Sequence, residues 1–151
     1  MERRYVIKNT KERERLRKLV AEITDAELKL VIYKEGWTIA ATLGHLAFWD
    51  ERRLTLVRKW KQKGVFPESS MDGDIINDAL LPLCLAIPPR KAANLAVSTA
   101  ETLDHELEKL SPEMITAIEK LGDRHALNRA IHRKMHLDEI DALLKTKRSS
   151  K

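Results

Sequence analysis

Apolar residues recur three and four positions apart in four long stretches of the chain, a spacing that places them on one face of a helix. The first three stretches carry the apolar or small positions Leu16, Leu19, Val20, Ile23; Ile39, Leu43, Leu46, Leu54, Val57; and Ala92, Ala96, Thr99, Leu103, Leu107, Leu110. The alternation typical of strands is absent. The pattern therefore predicts an all-α protein built as a four-helix bundle.

Capping residues set the expected bounds of the first two long helices. The first is expected to begin at Asn9 or Thr10, where a side chain can accept from the free N–H groups of the first turn. Thr38 is a second N-cap, and it predicts a helix over 39–63 that Gly64 ends.

The other long helices have weaker signals. The third is expected to begin at the pair Pro88-Pro89, since proline suits a first turn. The fourth is expected to run from Asp123, as a cap, to about Leu144. A second start signal at 24–27 is expected to open a short turn, and short extra helices are expected in the connections at 74–86 and 111–122.

Length and composition favour one soluble domain. A chain of 151 residues can bury a substantial core, and we expect one domain over 1–144 and a basic, disordered tail over 145–151. The single cysteine, Cys84, excludes a disulfide framework and is expected to be buried and inert. The longest apolar run, 79–87, is too short to span a membrane, and no apolar signal region follows Met1. A cytoplasmic protein with no membrane partner is expected.

The charge of the chain raises the question of nucleic acid. The formal net charge is +5 and the pI is about 9.4. Many of the basic residues alternate with apolar ones at helical spacing, as on a solvated helix face, and aromatic residues for base stacking are scarce. The pattern disfavours a nucleic-acid partner, although a basic DNA-associated bundle stays open as an alternative.

Histidines carry the clearest chemical signal. His132 and His136 lie one helical turn apart, on the side that carries Ile140 and Leu143 toward the core. Two imidazoles at this spacing can reach one metal ion, although the spacing also arises by chance. His45 lies two turns into the second helix, which can face the fourth helix in a bundle. Three histidines at one locus would leave a coordination position for water or substrate.

Other residues near these histidines receive lesser roles. Gly44 beside His45 costs up to about 1 kcal/mol inside a helix, which is tolerated where something must approach closely. The carboxylates that could orient the rings are Asp50, Asp138 and Glu139. His125 is expected at a pocket rim, on the same helical face as His132 and His136, and His105 is expected to face solvent. The tryptophans Trp37, Trp49 and Trp60 are interpreted as packing anchors, with Trp37 also a candidate pocket wall.

The order of these motifs resembles the DinB/YfiT-like family over nearly the whole chain, from Thr10 to Leu144. The motifs are Gly36-Trp37-Thr38, His45-Leu46, Trp49-Asp50 and His132-x-x-x-His136-x-x-x-Ile140. The resemblance implies a four-helix bundle, commonly a homodimer, with zinc or nickel on three histidines, here His45, His132 and His136. Many relatives carry a further histidine one turn before the pair, where this chain has Asn128.

The resemblance implies several reaction classes, since relatives include thiol-dependent S-transferases, a mycothiol-dependent isomerase and metal-dependent hydrolases. We expect a metal-dependent enzyme that acts on a small molecule, either a transferase using a low-molecular-weight thiol or a hydrolase. Catalytic residues are not identified, and the candidate pocket residues are Trp37, Trp49, His125 and Asn128. The alternatives are a non-catalytic, stress-related protein that binds a small molecule or metal, and the DNA-associated bundle.

Overall fold

The computed structural model describes residues 3–150, and four long helices form its frame. The helices are α1 (Arg4–Glu22), α2 (Asp25–Leu28), α3 (Ile39–Lys63), α4 (Gly73–Ala86), α5 (Pro89–Glu108), α6 (Pro112–Glu119) and α7 (Ala130–Ser149). The long helices α1, α3, α5 and α7 make the bundle, and the other three lie in the connections. The predicted all-α fold, a four-helix bundle with short extra helices, is confirmed.

The helices pack in a ring. Helix α5 packs against α3 and α1, α1 packs against α7, and α7 closes the ring against α3. The seam between α3 and α7 is the loosest of these four contacts. The apolar stripes predicted for the first three long helices are all buried. They form one cluster around Leu43 and Leu137 and a second around Trp60 and Leu107.

A layer of buried charge separates the two clusters. On α3, Asp50 lies between Leu46 of the first cluster and Leu54 of the second. From α7, Arg133 makes two hydrogen bonds of 2.8 Å to the carboxylate of Asp104 and one of 3.1 Å to Asp50. The pairs satisfy charges that would otherwise be costly to bury. Sequence reasoning missed this layer.

The predicted bounds of α3 and the predicted start of α5 are confirmed. The Thr38 hydroxyl accepts from the N–H of Ala41 at the start of α3, and Gly64 ends that helix with a positive φ of 86°. Helix α5 begins at Pro89, and the short helix α4 begins at Gly73, one residue earlier than predicted.

The predicted start of α1 is wrong, because the helix begins at Arg4 and not at Asn9 or Thr10. Asn9 is buried inside the helix, and its Oδ1 accepts from the N–H groups of Arg129 and Ala130 at 2.8 and 3.0 Å. These N–H groups belong to the N-cap residue and to the first residue of α7. Asn9 therefore caps a helix, as its residue type suggested, but one that follows it by more than a hundred positions.

The predicted start of the fourth long helix is also wrong. Helix α7 begins at Ala130, and 123–129 forms turns. The carboxylate of Asp123 accepts from the N–H of His125 at 2.9 Å and from Arg53 at 3.0 Å, which holds the chain out of helical geometry there. His125 is consequently not on the helical face predicted for it.

The end of α7 differs from the prediction as well. The helix continues past Leu144 to Ser149, so the expected disordered tail over 145–151 is helical over 145–149, and Lys151 lies outside the described residues. Arg148 donates to the carboxylate of Glu27 at 2.8 and 3.1 Å, an ion pair that ties the last turn to α2.

Gly44 lies where α3 meets α4 and α5. A Cβ added there would lie 3.5 Å from the sulfur of Cys84 and 3.8 Å from the Cβ of Ala92. The close neighbours of Gly44 are therefore two helices and not a ligand. Cys84 is buried, as predicted. None of the helices within residues 3–150 is long and apolar enough to cross a membrane.

Candidate metal site

The α3–α7 seam brings together the three histidines predicted as metal ligands. His45 projects from α3, and His132 and His136 project from successive turns of α7. The ring centroid of His45 lies 4.9 Å from that of His132 and 5.1 Å from that of His136, and the centroids of the two rings on α7 are 4.9 Å apart. One ring nitrogen from each residue lies within 4.8 Å of the others. The three side chains could therefore hold one metal ion.

The ring nitrogens of this cluster have few protein partners. Nε2 of His45 lies 3.0 Å from Nε2 of His132. Nε2 of His136 and Nδ1 of His45 are buried, and no group within residues 3–150 forms a hydrogen bond to either. Buried polar atoms in proteins nearly always have a partner. A cation would fit here, because imidazole nitrogens are ligands of first-row transition metals.

All three imidazoles are neutral at pH 7, the form that a metal ligand requires. Burial and, to a smaller extent, the neighbouring His136 together lower the pKa of His45 to about 4. Burial, then His136 and His45, lower the pKa of His132 to about 2. Burial also lowers the pKa of His136, although the carboxylate of Glu139 opposes that shift.

Tyr33 links His136 to Glu139, a contact that sequence reasoning missed. The Tyr33 hydroxyl lies 2.8 Å from Nδ1 of His136 and donates to the carboxylate of Glu139. Burial, followed by the bond to Glu139, raises the pKa of Tyr33, so the hydroxyl keeps its proton. Of the three carboxylates expected to orient the rings, only Glu139 is connected to them. Asp50 pairs with Arg129 and Arg133, and Asp138 pairs with Arg15 and Lys134.

A tight turn before α3 places Tyr33 and Trp37 beside the histidines. The N–H of Ile32 donates to the carbonyl of Trp37 at 2.8 Å, and Val31 bridges to Thr38. Gly36 has a φ of 105°, a conformation that side chains with a Cβ rarely adopt. The Gly36-Trp37 pair in the sequence was a signal for this turn, although it did not reveal which side chains the turn would present.

The histidines open onto a cavity of about 510 Å³ between α3 and α7. Aromatic and methionine side chains line its apolar part: Trp37, Trp49, Met71, Met135. The ring of Trp37 lies 5.5 Å from that of His45, and the ring of Trp49 lies 6.4 Å from it. A volume of this size is within the range of small-molecule sites.

Three of the four predicted pocket residues, Trp37, Trp49 and His125, line this cavity. The fourth, Asn128, does not, because its side chain turns to the start of α7 and accepts from the N–H of Ala130 at 3.2 Å. His105 is exposed on α5, as predicted, and Trp60 is a buried packing residue.

Ion pairs form the polar end of the cavity. Arg53 lies 3.0 Å from Asp123 and 3.4 Å from Glu68, and Arg52 also pairs with Glu68. Arg129, which is buried, lies 3.0 Å from Asp50. Each of these guanidinium groups therefore has at least one carboxylate partner within the protein.

Comparison with known proteins agrees with this architecture. A family model described as the DinB superfamily matches residues 9–144, which include all of α3, α4, α5 and α6 and the three histidines. No curated protein and no solved structure gives a significant match.

Proposed function

The chain belongs to the DinB superfamily, and from this membership and its three converging imidazoles we propose that it is a metal-dependent enzyme acting on a small molecule. The ligands of the metal, zinc or nickel, are His45, His132 and His136. The reaction is either transfer of a group to a low-molecular-weight thiol or hydrolysis.

One observation carries the proposal: the three neutral histidines lie at the wall of a cavity and not in a closed core. Structural metal sites are usually closed by four protein ligands, whereas catalytic sites keep three and leave a position for water or substrate. A divalent cation on three imidazoles lowers the pKa of a water molecule or thiol bound to it toward neutrality.

The protein's own side chains supply binding and shape around this position. Trp37 and Trp49 provide apolar walls next to His45, which favour the apolar part of a substrate and exclude bulk water. Asn77 from α4 accepts from the indole N–H of Trp49 at 3.0 Å, which fixes that ring at the cavity wall.

Replacement of the metal by cobalt(II) tests whether the site has an open coordination position, as a metal-dependent enzyme requires. A three-ligand site should give a visible spectrum that changes when 2-mercaptoethanol is added at pH 7, where the free thiol, whose pKa lies above the value of about 8.5 for a cysteine side chain, is mostly protonated. A hydrolase should instead respond weakly to the thiol and show a spectral change with pH near 7. A spectrum that responds to neither thiol nor pH would contradict the proposal and favour a non-catalytic metal-binding protein.

A further inference from the structure

We propose that Tyr33 is a positioning residue that holds His136 in the tautomer with its proton on Nδ1, so that the lone pair of Nε2 faces the histidine cluster. Glu139 is the acceptor that sets the direction of this hydrogen-bond chain. The use of that lone pair for a metal rests on the proposed function, whereas the choice of tautomer does not.

The direction follows from counting protons. An ionised carboxylate can only accept a hydrogen bond, so the bond between Tyr33 and Glu139 uses the single proton of the hydroxyl. The hydroxyl oxygen then has only lone pairs left for Nδ1 of His136, at 2.8 Å. Nδ1 must therefore be the donor of that bond. In a neutral imidazole the other nitrogen, Nε2, is then an acceptor with a free lone pair.

The surroundings of His136 agree with this assignment. Its Nε2 is buried, and no group within residues 3–150 donates a hydrogen bond to it. A proton on that nitrogen would be a buried donor without an acceptor, which costs about 1–3 kcal/mol. The alternative tautomer is thus disfavoured at both nitrogens. Its Nδ1 would be a second acceptor beside the Glu139 carboxylate, and the Tyr33 hydroxyl has only one proton to donate.

The same contact fixes the orientation of the ring. His45 offers a comparison, because its outer nitrogen Nδ1 has no hydrogen-bond partner among the residues described. Ligands held through their second nitrogen bind metal more tightly, and loss of such a partner typically weakens metal affinity about 10–100-fold. Tyr33 stands in the turn before α3 and Glu139 on α7, so the contact also ties the two elements across the seam.

Imidazole ¹⁵N chemical shifts of the metal-free, isotopically labelled protein test the tautomer directly. In the wild type, His136 should show a protonated Nδ1 and an unprotonated Nε2. In Tyr33→Phe both nitrogens should move toward the averaged shifts of exchanging tautomers. Tyr5→Phe is the matched control. Tyr5 donates a buried hydrogen bond of 2.8 Å to the carbonyl of Leu107 in the second hydrophobic cluster, so this variant should leave the His136 shifts unchanged. Identical His136 shifts in Tyr33→Phe and the wild type would overturn the proposal.

Zinc affinity, measured by competition with a chromogenic chelator, tests the consequence. Tyr33→Phe should bind zinc about 10–100-fold more weakly than the wild type and Tyr5→Phe equally well. Glu139→Gln should retain most of the zinc affinity, because its amide oxygen still accepts from Tyr33. Glu139→Ala removes this acceptor and should lose the affinity. It serves as the test variant if Tyr33→Phe does not fold. Equal affinity in Tyr33→Phe, Glu139→Ala and the wild type would overturn the positioning role. A wild type that binds no zinc would instead overturn the proposed function, and the ¹⁵N shifts would still decide the tautomer.

Discussion

Nε2 of His45 and Nε2 of His132 lie 3.0 Å apart, although 87 positions separate the two residues in the chain. The pairing depends on the ring of helices, which sets α3 beside α7 with a seam loose enough to leave a cavity. Helix α7 presents Arg133, Leu137, Ile140 and Leu144 to the core, so His132 and His136 lie at the edge of its buried face. The metal site proposed here is therefore a feature of a helix seam and not of the bundle centre.

The neutral histidines predict that the metal-free protein loses stability as the pH falls from 7 to 5. The pKa of His45 is about 4 in the folded state and near 6.5 in the unfolded chain. Below pH 6.5 the unfolded chain therefore binds a proton at His45 that the folded protein does not bind. The free energy of unfolding continues to fall until the pH reaches the folded pKa. His45 alone should remove about 2 kcal/mol of unfolding free energy between pH 7 and pH 5.

Urea titrations in the presence of a chelator at the two pH values measure this effect. His45→Gln cannot take up the proton, so the variant should lose less stability over the same interval. The range above pH 5 keeps the carboxyl groups of Glu27 and Asp123, whose pKa values are lowered, out of the comparison. A wild type with equal stability at pH 5 and pH 7 would contradict the assignment of buried neutral imidazoles.

The buried charge layer predicts a large difference between two aspartates. Asp104→Asn removes the carboxylate that Arg133 bonds twice and should destabilise the protein by about 3–5 kcal/mol, because Arg133 must then share Asp50 with Arg129 and the buried charges no longer balance. Asp138→Asn, which removes an exposed carboxylate paired with Arg15 and Lys134, should have a much smaller effect because solvent screens that charge. Chemical denaturation measures the loss of unfolding free energy in each variant. Similar losses in the two variants would contradict the stabilising role of the buried Asp104–Arg133 pair.

The sequence predicted the core better than it predicted the polar contacts. The stripes on α1, α3 and α5 follow from helical periodicity, which is local, and so they could be located from spacing alone. Asn9 was expected to cap its own helix, because the first turn of α7 that it actually caps is distant in sequence. The same reason hid the role of Tyr33, whose partners His136 and Glu139 lie on α7. Long-range hydrogen bonds depend on how the helices are arranged, and no local pattern encodes that arrangement.

The homodimer expected from the family resemblance stays a prediction, and α4 offers a surface for it. Positions on one face of α4 are apolar and exposed at helical spacing: Ile75, Ala79, Pro82, Leu83, Ala86. Ile75 is 66% exposed and Leu83 65% exposed, unusual values for such side chains on one stripe. We expect a second copy of the chain to cover this face about a two-fold axis, the commonest symmetry of protein dimers.

Light scattering at micromolar concentration measures the association. The wild type should have about twice the chain mass of 17.4 kDa, and Leu83→Lys should be monomeric because the charge lies in the interface. Ile7→Lys is the control, since Ile7 is 75% exposed on α1, away from the stripe. A wild-type particle of 17.4 kDa would rule the dimer out.

Metal analysis of the protein purified without a nickel resin tests the proposed three-histidine site most directly. Elemental analysis by mass spectrometry should find about one divalent zinc or nickel ion per chain in the wild type and none after replacement of His45, His132 and His136 by alanine. His105→Ala removes an exposed histidine from α5 and should keep the full metal content. Equal metal content in the wild type and the triple variant, or no metal in either after incubation with zinc, would contradict the account.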